Sequence, residues 1–361
     1  MENRRSFVKK MATGVISVPL IKPSSFFEDK KLNVALVGLG RYANYMAEGI
    51  AVSKYCKVNG IVTGTPSKIP VWRKKYNIPE KNVYNYETFD QIADNKDIDV
   101  VYVILPNGMH KEYVIRAARA GKHVIVEKPM AISAAECEEM IEGCHKAGVQ
   151  LAVGYRLHFE PYNQHMMKLG QEKVYGEVRY IEAGLGYNST NIDPSDWHLN
   201  PELSGGGCLQ NLGVYCVQGA RYVTGLEPVA ITARFGEKLY PDVFKEVEES
   251  IHWSMEFANG TIASCVASSS FQIDRLFASA ENNFFELSPA ISYGPFQGRT
   301  RSDEFDFPQT NQQQVQMDEM AKYLLNKKTL PDHICGLEGL KDLRVIDAVY
   351  EAARSGKRVA V

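Results

Sequence analysis

Gly38-Leu39-Gly40-Arg41-Tyr42-Ala43 follows an apolar tetrad, Val34-Ala35-Leu36-Val37, and opens a helix-like stretch. It is a GxGxxA form of the dinucleotide fingerprint. The glycines allow a tight turn and close approach of a pyrophosphate, and the N-terminus of the next helix stabilises its charge. Gly38, Gly40, Arg41, Tyr42 and Ala43 are therefore expected at a cofactor. An acidic side chain about 20 residues further on would bind the ribose 2′-hydroxyl of NAD. Here that stretch is Thr63-Gly64-Thr65-Pro66-Ser67-Lys68. It has no carboxylate to repel a 2′-phosphate and offers hydroxyls and a cation to hold one. Thr63 and Lys68 thus point to NADP, with NAD as the alternative. For Lys74 and Lys75 a solvated helix face is the better reading. Glu127-Lys128-Pro129 lies at the end of another apolar run, where ligands bind in an open α/β sheet. Proline biases Lys128 toward extended backbone, and a lysine charge there lowers the pKa of a neighbouring acid.

These residues need a scaffold, and the chain alternates short apolar runs with helical stretches from Lys31 onward. Strands are expected at 34–37, 58–62, 100–105, 123–126 and 149–153, with helices at 42–52, 110–120 and 133–147. Ser133 with Glu136 has capping-box spacing. Continuous apolar strands separated by helices predict a parallel sheet covered on both faces, a Rossmann half over residues 31–153. After Gly154 the strands lengthen and alternate, at 177–183, 229–235, 250–257 and 261–267. Asn259-Gly260 joins the last two as a hairpin. Ile251, Trp253, Met255 and Phe257 alternate with His252, Ser254 and Glu256, so one face is buried and one polar. Helices are expected at 161–169, 207–224, 311–326 and 336–355. Residues 154–361 are thus a second α+β domain with a large, open, mostly antiparallel sheet, and its exposed face is a natural surface for a homo-oligomer, dimer or tetramer.

The net charge of −2 gives no reason to expect nucleic acid or an anionic membrane as partner. Seven cysteines form neither a CxxC pair nor a zinc spacing, so no metal is expected. Arg4-Arg5-Ser6-Phe7-Val8-Lys9-Lys10, a short apolar run from Met11 to Ile21 and a polar run to Lys31 resemble a twin-arginine export signal. The run is about half the ~20 residues a membrane span needs. Residues 1–30 therefore read as a signal and short arm, and the protein as periplasmic; a disordered basic tail would leave it cytoplasmic.

Gly38-Leu39-Gly40, Leu105-Pro106-Asn107-Gly108-Met109-His110, Glu127-Lys128-Pro129-Met130-Ala131 and Gly154-Tyr155-Arg156 together resemble the Gfo/Idh/MocA oxidoreductases. Gly205 to Tyr215 and Tyr350 to Gly356 resemble, within that family, the glucose-fructose oxidoreductase group. The resemblance covers nearly the whole chain from Lys31. It implies that Leu105, Pro106, Asn107, His110 and Glu127 line the cofactor, and that Lys128 is the catalytic lysine of the nicotinamide pocket. It also implies that Tyr215 exchanges a proton with the sugar, with Arg156 and His158 as sugar contacts. Tyrosine is a poor acid-base group at its ordinary pKa near 10, and a nearby lysine cation brings it closer to use. Asn211 and Tyr215, four apart, share one face of a helix. The family usually has aspartate where this chain has Asn211, which hydrogen-bonds a sugar hydroxyl but cannot ionise.

The function this implies is hydride transfer between a sugar C–OH or C=O and NADP, by an aldose-type oxidoreductase acting on a small-molecule sugar. One form of it keeps the cofactor bound while one sugar is oxidised and another reduced. The arm over Pro23 to Lys30 is shorter than the one that covers the cofactor in glucose-fructose oxidoreductase. The alternatives are a conventional sugar dehydrogenase, an NAD-dependent glycoside hydrolase, and a non-catalytic sugar-binding protein on the same scaffold. Glu127-Lys128-Pro129 and the missing acidic residue count against the hydrolase.

Overall fold

The computed structural model describes residues 30–361, so the expected export signal lies outside the described residues. The first half alternates β1 (Leu32–Val37), α1 (Arg41–Ala51), β2 (Cys56–Val62), α2 (Ile69–Tyr76), β3 (Val83–Tyr84), β4 (Val100–Val103), α3 (His110–Arg119), β5 (His123–Val126), α4 (Ala134–Lys146) and β6 (Leu151–Val153). The strands form one parallel sheet in the order β3-β2-β1-β4-β5-β6. The order reverses between β1 and β4, and ligands of such sheets bind in the crevice at that reversal. The α4 cap forms as its spacing predicts, with the Ser133 hydroxyl accepting the Glu136 N–H at 3.3 Å.

The second half contains α5 (Pro161–Gln171), β7 (Val178–Gly186), α6 (Pro201–Ser204), a wide turn over Leu209–Gly213, α7 (Val214–Thr224), β8 (Pro228–Phe235), β9 (Ser250–Phe257), β10 (Ile262–Ser268), β11 (Ile273–Ala280), β12 (Phe284–Leu287), β13 (Gly298–Thr300), α8 (Gln312–Leu325), α9 (Gly336–Ser355) and β14 (Val359–Ala360). Its sheet runs β13-β12-β11-β7-β10-β9-β8-β14 and is antiparallel except where β7 meets β10. The Asn259-Gly260 turn closes the β9–β10 hairpin, with the Phe257 N–H donating to Thr261 O at 3.0 Å. On β9, Ile251, Trp253, Met255 and Phe257 are buried as the alternation requires.

The structure adds to the sequence expectation, including α2, β3 and α6, which are not among the expected elements. The 207–224 helix is not uniform: over Leu209–Gly213 it widens to a π turn, and the Val214 N–H reaches back five residues to Leu209 O. Strands β11 to β14 carry weak or mixed patterns that gave no expectation. Helix α8 lies late in the chain but packs on the first sheet's side. Its Met317, Met320, Ala321 and Leu324 share one buried cluster with Met46 and Ile50 of α1. Each such fully buried large side chain stabilises the fold by roughly 1.5–3 kcal/mol. Among the described residues no helix is long and apolar enough to cross a membrane.

Candidate active site

The fingerprint loop fits a dinucleotide. Gly38 has φ +87°, and a Cβ there would collide with the Ile104 carbonyl oxygen, so only glycine lets the loop pass β4 this closely. A Cβ on Gly40 would meet nothing within 4 Å, which leaves open space at the start of α1. Gly40 caps α1 with no side-chain hydrogen bond, so the first N–H groups of the helix have no side-chain acceptor there. An anionic phosphate is the natural partner for such a terminus. Ala43, buried, packs beneath the loop, while Arg41 is exposed at the first turn.

Lys68 reaches back across the loop and donates to Leu39 O at 2.8 Å. This places an exposed cation beside the fingerprint with Thr65 and Ser67 exposed next to it. Thr63 is instead buried, and its hydroxyl accepts the Thr65 N–H at 3.1 Å. It shapes the turn, and Thr65 and Ser67 are the exposed hydroxyls of this stretch. Arg73 and Lys75 form surface ion pairs with Glu80 and Glu48.

Beyond β4, Leu105 packs beside Gly38, and Pro106 turns the chain into Asn107. The buried Asn107 amide donates to Ser204 O at 2.8 Å, tying this wall to α6. His110, expected at the cofactor, has another role. It is fully buried, with Nε2 2.8 Å from Leu105 O and Nδ1 3.1 Å and 3.2 Å from Pro129 O and Met130 O. Both ring nitrogens face backbone carbonyls of the loops after β4 and β5, and burial lowers its pKa to about 4. It holds those loops together and presents no surface to a ligand.

Glu127 and Lys128 follow the end of β5 and take different partners. The buried Glu127 carboxylate accepts from the Tyr102 hydroxyl at 2.5 Å and from the Lys128 N–H at 3.3 Å. Tyr102 accepts from Gln316 of α8 at 2.8 Å. Burial pushes Glu127 up to about 7, although the Tyr102 hydrogen bond and the Lys128 charge pull it down. Gly154 makes room for this pair: a Cβ there would lie 2.6 Å from Glu127 Oε1 and 2.7 Å from the Tyr102 hydroxyl.

Lys128 Nζ donates to the main-chain carbonyl of Asn211 at 3.1 Å and lies 4.6 Å from the centroid of the Tyr215 ring. The strand end and the helix of the second half thus meet, as the resemblance implies. Asn211 lies within the widened turn, so its carbonyl meets Lys128 at the irregular stretch of this helix. The contribution of Asn211 seen here is this backbone oxygen, which spacing alone did not suggest.

Arg156, just after β6, is buried and lies 5.3 Å from the Tyr215 ring centroid and 4.6 Å from that of Tyr293. It forms no ion pair among the described residues. Its guanidinium is held by Gln312 Oε1 and by the carbonyls of Ile291 and Ser292, and its Nε has no partner. A buried arginine without a carboxylate is costly, and such a cation beside a cleft marks a site for oxygen-rich or anionic groups. Its neighbour Tyr155 anchors the segment by donating to Asp342 at 2.6 Å, where Gln218 and Arg221 also bind.

His158 does not reach the open side. It is 2 % exposed, stacked on Tyr155 at 4.6 Å and edge-on to Tyr222 at 4.1 Å, and neither ring nitrogen has a partner. Burial holds it well below the usual histidine range. It borders a small cavity that Tyr215, Asn163, Gln218 and Tyr222 also line. Sequence reasoning missed Tyr187 and Tyr293. Both are exposed, at 39 % and 54 %, and both sit near Tyr215 and Arg156. Half-buried Tyr42 of α1 also lies near Glu127 and Tyr215, and desolvation pushes its pKa well up.

The chain matches the family model described as "Oxidoreductase family, NAD-binding Rossmann fold" over residues 32–155, and the GFO/IDH/MocA C-terminal domain over residues 163–284. It is similar to the crystal structure of aldose-aldose oxidoreductase from Caulobacter crescentus complexed with glycerol, with 40 % identity and a TM-score of 0.88, covering 92 % of this chain and 100 % of that one. It is also similar to D-xylose 1-dehydrogenase [NADP(+)] of Haloarcula marismortui, 26 % identical over 344 residues, covering 92 % of this chain and 93 % of that protein. Scyllo-inositol dehydrogenase from Lactobacillus casei with bound NAD(H) and scyllo-inositol shares the fold, with a TM-score of 0.77 at 19 % identity, covering 92 % of this chain and 99 % of that one. With both halves matched and the Rossmann fingerprint in place, this chain belongs to the Gfo/Idh/MocA family of NAD(P)-dependent oxidoreductases.

Proposed function

We propose that the protein is an NADP-dependent aldose-type oxidoreductase that moves a hydride between a sugar carbon and the nicotinamide. The observation that carries this reading is Lys128, bonded to Asn211 O and set 4.6 Å from the Tyr215 ring, at the end of the sheet that bears the fingerprint. The similarity to an aldose-aldose oxidoreductase and to an NADP(+) xylose dehydrogenase supports the substrate class.

In the oxidising direction, the dinucleotide supplies the hydride acceptor. The sugar C–H electron pair would leave as hydride to that acceptor, and the sugar hydroxyl proton would pass to the Tyr215 oxygen as the Tyr215 hydroxyl proton is handed on to water. Lys128 and Arg156 place positive charge beside that ring, which favours negative charge developing on the sugar or tyrosine oxygen. The aldose ends as a lactone and the proton leaves to water; the reverse sequence reduces a sugar carbonyl. In this reading Thr65, Ser67 and Lys68 take the 2′-phosphate, and Asn211 positions the sugar.

Purification without added nucleotide, followed by identification of any carried dinucleotide and a panel of aldoses, tests the reading. Reduction of NADP+ by at least one aldose is expected. A cofactor that co-purifies and cycles between two sugars supports the retained-cofactor form, and free exchange of NADPH supports the conventional dehydrogenase. Failure of every aldose to reduce the cofactor overturns the proposal. Export by the twin-arginine route and self-association through the open sheet face belong to the same proposal. Cell fractionation and solution mass measurement test them; a cytoplasmic protein or a monomer would contradict each in turn.

A further inference from the structure

The 288–297 loop after β12 is fixed with unusual care for a surface segment. Asp274, on neighbouring β11, accepts three successive backbone N–H groups: Ala290 and Ile291 at 2.8 Å on Oδ1, and Ser292 at 3.0 Å on Oδ2. Ala290, Ile291 and Phe296 are buried, and Phe296 exchanges two hydrogen bonds with the Gln309 amide. Carboxylate bonds to backbone N–H groups are among the stronger ones, so the loop is set before any ligand arrives.

Tyr293 stands out from this anchored frame. One face of its ring lies on the Arg156 guanidinium at 4.6 Å, and the ring packs at a 46° tilt against Tyr45 of α1, with centroids 5.4 Å apart. Tyr293 nevertheless stays 54 % exposed. Arg156 is the cation it shares with Tyr215. A large aromatic ring held rigidly at a cleft mouth, with more than half its surface in water, adds little to the core. It does offer a ready apolar plane beside the reacting tyrosine, and preorganised contacts of this kind cost little entropy on binding.

We infer that Tyr293 is a specificity-determining residue that stacks on the apolar C–H face of the sugar ring, and that Asp274 is its positioning residue through the 290–292 backbone. The inference rests on the sugar-oxidoreductase reading above. Pyranoses present one face rich in C–H bonds, while their hydroxyls radiate at the rim. A ring packed on that face leaves the hydroxyls free for Arg156 and Tyr215. Asp274→Asn would remove the negative charge from all three bonds and replace one acceptor oxygen by an NH2 donor, and so loosen Tyr293 without touching it.

Steady-state kinetics of wild type, Tyr293→Ala, Tyr293→Phe and Asp274→Asn test the inference, together with NADPH titration. Tyr293→Ala is expected to raise KM for the preferred aldose on the order of 10-fold, the worth of one good aromatic contact, with a smaller fall in kcat and little change in NADPH affinity. Tyr293→Phe, which keeps the ring, recovers most of that loss, and Asp274→Asn moves KM in the same direction as Tyr293→Ala. A Tyr293→Ala enzyme whose KM stays within 2-fold of wild type for every active aldose overturns the inference. So does a KM rise matched by an equal loss of NADPH affinity, since Tyr293 would then serve only to clamp α1. A wild type that reduces its cofactor with no aldose overturns the functional reading itself, and is distinguishable because it needs no variant.

Discussion

Single residues divide here by whether their role is set locally. Gly38 and Lys128 were legible because a turn and a strand end are local events with a known place in a parallel sheet. Lys68 was legible through its charge alone, and its bond to Leu39 O places it against the fingerprint loop. Lys68→Glu is therefore expected to weaken NADPH binding at least 10-fold while NADH binding changes little, as measured by fluorescence titration; equal losses for both would remove Lys68 from a 2′-phosphate site. His110 and His158 were not legible, because a histidine next to a motif and a histidine behind it look alike in sequence. Glu127 was expected at the cofactor, but its burial beside Tyr102 gives it a second character. Its carboxyl is raised to about 7 in the folded chain against an ordinary 4.5, so the folded state binds its proton more tightly. The stability this gives is present below pH 4.5 and lost as pH rises through about 7, up to about 3 kcal/mol. Glu127→Gln, which cannot ionise, should flatten that part of the stability curve relative to wild type. Unchanged slopes of melting temperature between pH 4.5 and 7.5 in the two proteins would contradict this account.

At the scale of elements, periodicity located most helices and strands but not their irregularities. The 207–224 stretch reads as one amphipathic helix, and nothing in Leu209 to Gly213 announces a π turn. Within that turn a Cβ on Gly213 would crowd Leu209 and Trp253, and the Asn211 carbonyl accepts from Lys128. Gly154 is a similar case: it reads as part of a Gly-Tyr-Arg motif, while its physical reason is the Glu127–Tyr102 pair that lies where a side chain would be. Gly154→Ala must push apart a 2.5 Å hydrogen bond. It should cost about 1–3 kcal/mol, the usual range for an overpacked core, and lower turnover because the β5 end moves with it. Denaturant unfolding alongside turnover checks this; a variant as stable and active as wild type would mean the strand end adjusts freely.

For the whole molecule, fold class and the two-sheet plan were readable, because parallel strands buried on both faces and one-sided antiparallel strands leave different patterns. Assignment of packing across the chain was not. Helix α8 follows thirteen strands, yet its Gln316 and Gln312 reach Tyr102 and Arg156, and its methionines complete the core beside α1. An amphipathic pattern says that a helix has a buried face and does not say against what. The same limit hid Tyr293, whose surroundings come from α1 and from the segment after β6. What does emerge is a site made only where the halves meet, with Lys128 from the first sheet and Tyr215 from a helix over the second. The measurement that tests this most directly is single-turnover reduction of enzyme-bound NADP+ by a saturating aldose, in wild type and Tyr215→Phe. The account predicts a rate lower by roughly 10²–10⁴ in the variant, with NADPH affinity within about 2-fold of wild type. A Tyr215→Phe enzyme that reduces its cofactor at the wild-type rate would contradict it.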